Sequence, residues 1–121
     1  MTVPTGTELA RPFLPAKDFT LSKRFYRALG FKTSTDGEVA IFEVGGGSFI
    51  LQNYFQKEWA DNFMMQLLVD DLDAWWTHIQ TLDLPGQFGV PPPKPPAMQP
   101  WGLTVAYLID PSGVLWHVAQ R

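Results

Sequence analysis

The chain repeats itself. Leu14–Phe31 overlies Leu67–Leu84 at a constant offset of 53, pairing Leu14 with Leu67, Ala16 with Val69, Asp18 with Asp71, Phe19 with Leu72, Tyr26 with Ile79, Leu29 with Leu82 and Phe31 with Leu84. A repeat of about half the chain constrains the architecture strongly. Each copy is one supersecondary unit that buries its apolar face only against its neighbour. The space between the two copies is then the natural place for a ligand pocket.

Within each copy the pattern is mixed. Ala10–Ala16 reads as a strand, with Pro12 and Pro15 restricting it to an edge or a short run. Asp18 or Thr20 caps a helix whose stripe is Leu21, Phe25, Ala28 and Leu29, ended by Gly30. Phe31–Ser34, Val39–Val44 and Ser48–Gln52 follow as strands, with turns at Asp36-Gly37 and Gly45-Gly46-Gly47. The segment 54–62 links the halves. Phe63–Val69 is the next strand, and Asp71 or Asp73 caps a helix presenting Leu72, Trp75, Trp76, Ile79 and Leu82. Val90–Pro100 is rich in proline and reads as an extended, semi-rigid loop. Thr104–Ile109 and Val114–Ala119 form a hairpin about the turn Asp110-Pro111-Ser112-Gly113.

The closing hairpin echoes the first at a different offset, 66, through Val39/Val105, Ala40/Ala106, Phe42/Leu108, Gly47/Gly113 and Phe49/Leu115. The change from 53 to 66 is a net insertion in the second copy, placed at the proline-rich loop. Each module is therefore β-α-β-β-β, with strand 6 expected near Gln87–Val90. The expected fold is α+β. Two tandem βαβββ modules (about 9–53 and about 63–121, with linker 54–62) form a curled, mixed eight-stranded sheet around a cleft, helices on the outer face.

Composition removes several functions. The net charge is −3 and no basic run exists, which argues against nucleic-acid binding. There is no cysteine, so disulfides, thiolate metal sites and cysteine nucleophiles are out. No apolar run reaches membrane-spanning length, and the first residues lack the features of an export signal; a cytoplasmic location is expected. Seventeen aromatics, five of them tryptophan, provide flat apolar surface for a core or a pocket. Ser22, Ser34, Ser48 and Ser112 sit at helix starts or turns, outside any nucleophile elbow. The triple glycine joins two strands and precedes no helix, unlike a phosphate loop. Asp70, Asp71 and Asp73 read as helix-start acids.

Four segments resemble the glyoxalase / bleomycin-resistance / extradiol-dioxygenase superfamily, the vicinal oxygen chelate proteins. They are Leu14–Asp18 with Ser22, Phe25-Tyr26 and Leu29–Phe31; Val69–Ala74; Pro100-Trp101-Gly102; and Asp110–Gly113 with Leu115-Trp116-His117. The closing segments resemble the bleomycin-resistance branch. This resemblance implies paired βαβββ modules, a cleft, and a homodimer. It also implies four strand positions for metal ligands, which fall on Arg11, Leu51, Met64 and His117. Only His117 carries a suitable donor, whereas a catalytic zinc or iron site needs about three. Reaching Gln52 or Glu43 instead requires a one-residue slip in register. No metal and no cofactor are expected.

If His117 faces the cleft, so do Leu115 and Ala119, with Trp116 and Val118 turned to the helices. Phe49 and Leu51 are read as cleft-facing on the companion hairpin, with Ile50 outward. The expected ligand-binding set is Arg11, Phe49, Leu51, Tyr54, Trp59, Met64, Trp101 and His117. Aromatic faces suit a flat or cationic ligand, and Arg11 suits an anionic one; the residues leave ligand charge open. The sequence thus points to a metal-independent protein that sequesters a small aromatic or amphipathic compound such as an antibiotic, with no catalytic residue assigned. The alternative is a glyoxalase-like lyase or dioxygenase using His117, a candidate general base, with Arg11. A third reading makes Pro92–Pro96 a docking segment for a partner. His78 is read as structural.

Overall fold

Asp18 starts the first helix of the computed structural model, which describes residues 2–121. Its carboxylate accepts the Leu21 amide at 3.0 Å, satisfying one of the free N–H groups at a helix start. Strand β1 (Phe13–Pro15) leads into α1 (Phe19–Leu29), then β2 (Lys32–Asp36), β3 (Val39–Val44) and β4 (Gly47–Gln52). Gly30 closes α1 at φ 99°, a left-handed conformation in which a Cβ would be strained. The second module repeats the order with β5 (Met64–Val69), α3 (Leu72–Thr81), β6 (Lys94–Met98), β7 (Thr104–Ile109) and β8 (Leu115–Gln120). Two short helices are added, α2 (Lys57–Asn62) in the linker and α4 (Leu84–Phe88) after α3.

The expected eight strands are present, as two mixed sheets of four. Their orders are β1-β4-β3-β2 and β5-β8-β7-β6, each with one parallel pair made by the module's first and last strands. The sheets do not close on each other. Between them and α1 lies the core, where Phe25, Tyr26, Phe42, Phe49, Leu51, Trp116 and Val118 are at most 2% exposed. The α1 stripe that enters it is Ser22, Phe25, Tyr26 and Leu29, rotated from the expected one so that two polar side chains are buried.

Several elements differ from the sequence reading. The first strand is shorter than Ala10–Ala16, because a proline ring removes the ladder donor at Pro12. The second strand begins one residue late and runs on to Asp36 through a register shift between Thr33 and Thr35. No strand forms at Gln87–Val90. Asp83 caps a helical turn there, its carboxylate accepting the Gly86 amide. Strand β6 lies inside the proline-rich segment itself. It is an edge strand, so Pro95 and Pro96 need no partner, and the ladder slips by one residue between Lys94 and Ala97.

The most consequential difference is one of parity. In β4, Leu51 stands opposite Leu14 and Ala40; in β8, Val118 stands opposite Leu67 and Ala106. Leu51 therefore corresponds to Val118, Ile50 to His117 and Phe49 to Trp116, an offset of 67 along the last strand. The turn from Asp110 to Val114 holds one residue more than its counterpart from Val44 to Gly47. One extra residue reverses every side chain beyond it.

Candidate functional site

Leu115, His117 and Ala119 point away from the helices, as expected, and Trp116 and Val118 point into the core. Phe49 and Leu51 do not share the His117 face. They are 1% and 0% exposed and pack in the core with Trp116, the rings of Phe49 and Trp116 lying 5.6 Å apart. Ile50, read as turned away from the cleft, takes their place on the face opposite the helical core instead. By the same alternation Glu43, Ser48 and Gln52 lie on the outer face of the first sheet without any slip.

The outer face of the second sheet is built in register. Met64, Gln66 and Leu68 on β5 stand beside Leu115, His117 and Ala119 on β8, which stand beside Ile109, Tyr107 and Val105 on β7. Tyr107 meets His117 edge-on at 4.8 Å, and Trp101 lies tilted over the same imidazole at 6.3 Å. Trp101 is 58% exposed on the loop between β6 and β7. Next to this aromatic group is a cavity of about 340 Å³ lined by Pro91, Pro92, Lys94, Tyr107, Ile109 and Leu115. Pro91 and Pro92, just ahead of β6, form its rim. Burial lowers the His117 pKa from the usual imidazole value, so the ring is neutral at pH 7 and offers one nitrogen lone pair and one N–H.

The remaining expected site residues are dispersed. Arg11 precedes β1 and donates through Nε to Ser48 Oγ at 2.8 Å, on the outer side of the first sheet. Tyr54, 54% exposed, lines an open groove of about 600 Å³ with Phe19, Lys23, Glu38 and Gln52. Trp59 lies on α2 against Phe63, ring centres 6.4 Å apart. Met64 is the exception, 63% exposed at the start of β5 and beside Leu115 on the His117 face. His78 donates to the Leu29 carbonyl at 2.8 Å and meets Trp75 edge-on, a structural tie between α3 and α1. Tyr107, Ile109 and Leu115 complete the cavity; period-two alternation about His117 was the signal for them.

The family positions for metal ligands do not fit a metal. Leu51 is in the core, and Ile50, which replaces it on the outer face, has no donor atom. Among the described residues no group of three His, Asp or Glu side chains converges. Among the described residues no helix is long and apolar enough to cross a membrane.

Comparison with known proteins gives a consistent set of likenesses. The family model described as "Glyoxalase/Bleomycin resistance protein/Dioxygenase superfamily" matches residues 8–118. A bleomycin resistance protein from Klebsiella pneumoniae is 30% identical over 121 residues, covering 95% of this chain and 94% of the relative. A bleomycin-binding protein solved in complex with bleomycin superposes with a TM-score of 0.79 at 29% identity, covering 95% of this chain and 99% of that one. A bleomycin resistance determinant encoded on the transposon Tn5 superposes with a TM-score of 0.75 at 27% identity, covering 95% and 98%.

Proposed function

The chain belongs to the Glyoxalase/Bleomycin resistance protein/Dioxygenase superfamily, and from that premise we propose that it binds and sequesters a small aromatic or amphipathic antibiotic of the bleomycin type, without a protein-bound metal. One observation carries the reading: the Trp101–His117–Tyr107 group beside a cavity of about 340 Å³ walled by Pro91, Pro92, Ile109 and Leu115. Such a surface holds a planar ring by stacking, worth ~0.5–1.5 kcal/mol per aromatic pair beyond the area buried. Tyr107 and neutral His117 supply the few polar groups that orient it. The relatives named for bleomycin binding and resistance support the ligand class.

The cavity accommodates one ring system. Around the two outer sheet faces Phe13, Met64, Leu68, Met98 and Trp101 are exposed, large apolar side chains of the type that mark contact surfaces where they adjoin. The reading includes a homodimer, in which a second copy covers part of this surface and enlarges the cleft. It also includes a cytoplasmic location, where captured drug is kept from its target. The donor set at Arg11, Ile50, Met64 and His117 supports binding rather than metal-assisted chemistry.

Titration with bleomycin and a panel of planar antibiotics, followed by tryptophan fluorescence, tests the proposal. Saturable quenching that disappears in Trp101→Ala is expected. No spectral change with any compound contradicts it.

A further inference from the structure

Two like modules in one chain face a pairing problem, since either could pack against a copy of itself from another chain. We infer that a buried polar network centred on Tyr26 and Asp110 makes the first module take the second and refuse another first module. The Tyr26 hydroxyl donates to Asp110 Oδ2 at 2.5 Å, and the Trp116 indole N–H donates to the Tyr26 oxygen at 3.0 Å. Asp110 Oδ1 accepts the amides of Ser112 and Val114 at 2.8 and 2.9 Å. The Lys17 amide donates to Ser112 Oγ at 2.9 Å, and Ser22 Oγ lies 3.4 Å from that hydroxyl. Tyr26, Ser22 and Lys17 belong to the first module; Asp110, Ser112 and Trp116 belong to the second.

The groups are well hidden, with Tyr26 and Ser22 0% exposed, Asp110 2% and Ser112 6%. Among the described residues no buried side-chain nitrogen or oxygen lacks a partner. Burial pushes both the Asp110 carboxyl and the Tyr26 hydroxyl above their ordinary pKa values, so an unpaired charge here is disfavoured.

The repeat shows what each wrong pairing would do. Tyr26 and Ser22 correspond to Ile79 and Trp75 at offset 53, and Asp110 and Ser112 to Val44 and Gly46 at offset 66. No counterpart carries a hydroxyl or a carboxylate. A first module placed where the second belongs sets the Tyr26 hydroxyl against Val44, with Phe49 in place of the Trp116 indole. A second module placed where the first belongs sets the Asp110 carboxylate against Ile79, buried and without its tyrosine. Each error strands a buried polar group, which costs far more than the native bond returns. Apolar packing discriminates less, because Phe49 answers to Trp116 and Leu51 to Val118, and cores tolerate such exchanges. The extra turn residue that reverses parity in β8 also builds the loop that Asp110 caps, with Gly113 at φ 99°.

The chain has no cysteine, so single labels are easily placed at the exposed positions Thr20 and Thr77. Spin labels on Thr20→Cys report the approach of two first modules, and on Thr77→Cys of two second modules. The wild type is expected to give one distance population for each label. Combining Tyr26→Ile with Asp110→Val, the repeat counterparts, is expected to add a second population by shifting the pairing equilibrium about a hundredfold. Tyr26→Phe, which deletes one oxygen from a packed ring, is expected to add the same population more weakly. It decides the matter alone if near-ultraviolet circular dichroism shows the double variant unfolded. Single, unchanged distance populations in folded variants overturn the inference.

Discussion

Replacing Leu51 by alanine separates the two parities of β4. In the structure Leu51 is fully buried between Leu14 and Ala40, themselves 0% exposed. Removing a leucine from such a site costs ~2–5 kcal/mol, as lost transfer energy plus a cavity that the neighbours fill only partly. About 3 kcal/mol is a fair expectation where three strands hold the walls. For a chain of this size each kcal/mol moves the melting midpoint by roughly 4 °C, so the loss is about 12 °C. Ile50, half-buried on the outer face, should cost about 1 kcal/mol or less when truncated. The assay is thermal unfolding by circular dichroism on Leu51→Ala and Ile50→Ala, with bleomycin titrations below the transition. Leu51→Ala should melt far lower yet bind with little change while folded. A melting shift under about 4 °C together with lost binding would place Leu51 in the cleft and refute the register.

Three further outcomes are expected. Trp101→Ala should weaken bleomycin-type ligands by about ten- to a hundredfold, as truncated aromatic anchors do, with stability changed by less than ~0.5 kcal/mol in urea unfolding. Tyr26→Phe should cost about 3 kcal/mol by the same measurement, because it leaves Asp110 Oδ2 and the Trp116 indole N–H buried without partners. His117 sets a pH dependence: its folded pKa is depressed by burial, so as pH falls through about 6.5 the unfolded chain takes up the proton first and stability declines. Urea midpoints between about pH 5 and 8 should show this slope, and His117→Gln should flatten it.

The repeat made most of the fold legible. Asp18 and Asp71 cap matching helices, each accepting an amide three residues on at 3.0 Å, and that spacing is local enough to read directly. Strand β6 was hidden because Pro95 and Pro96 read as loop unless the strand is known to be an edge. Parity was hidden because Phe49/Leu115 and Gly47/Gly113 favour one alignment while a single extra turn residue imposes another. Turn length is set by the Asp110 side chain, which no periodicity reveals. The Tyr26–Asp110 bond was invisible for another reason, since its partners lie 84 residues apart. A signal existed nonetheless: at both positions the repeat changes from apolar to polar. For the candidate site, alternation about His117 put Leu115 and His117 together on the face of the second sheet away from the helices. Arg11 was grouped with it by motif position, and Tyr54 and Trp59 by their place in the segment between the modules; within one chain all three lie elsewhere.

Calorimetric titration of the protein with metal-free bleomycin in the presence of a chelator tests the central claim most directly. Saturable binding that persists under chelation and is lost in Trp101→Ala is the result expected. Binding that requires a divalent metal held by the protein, or no binding at all, would contradict it.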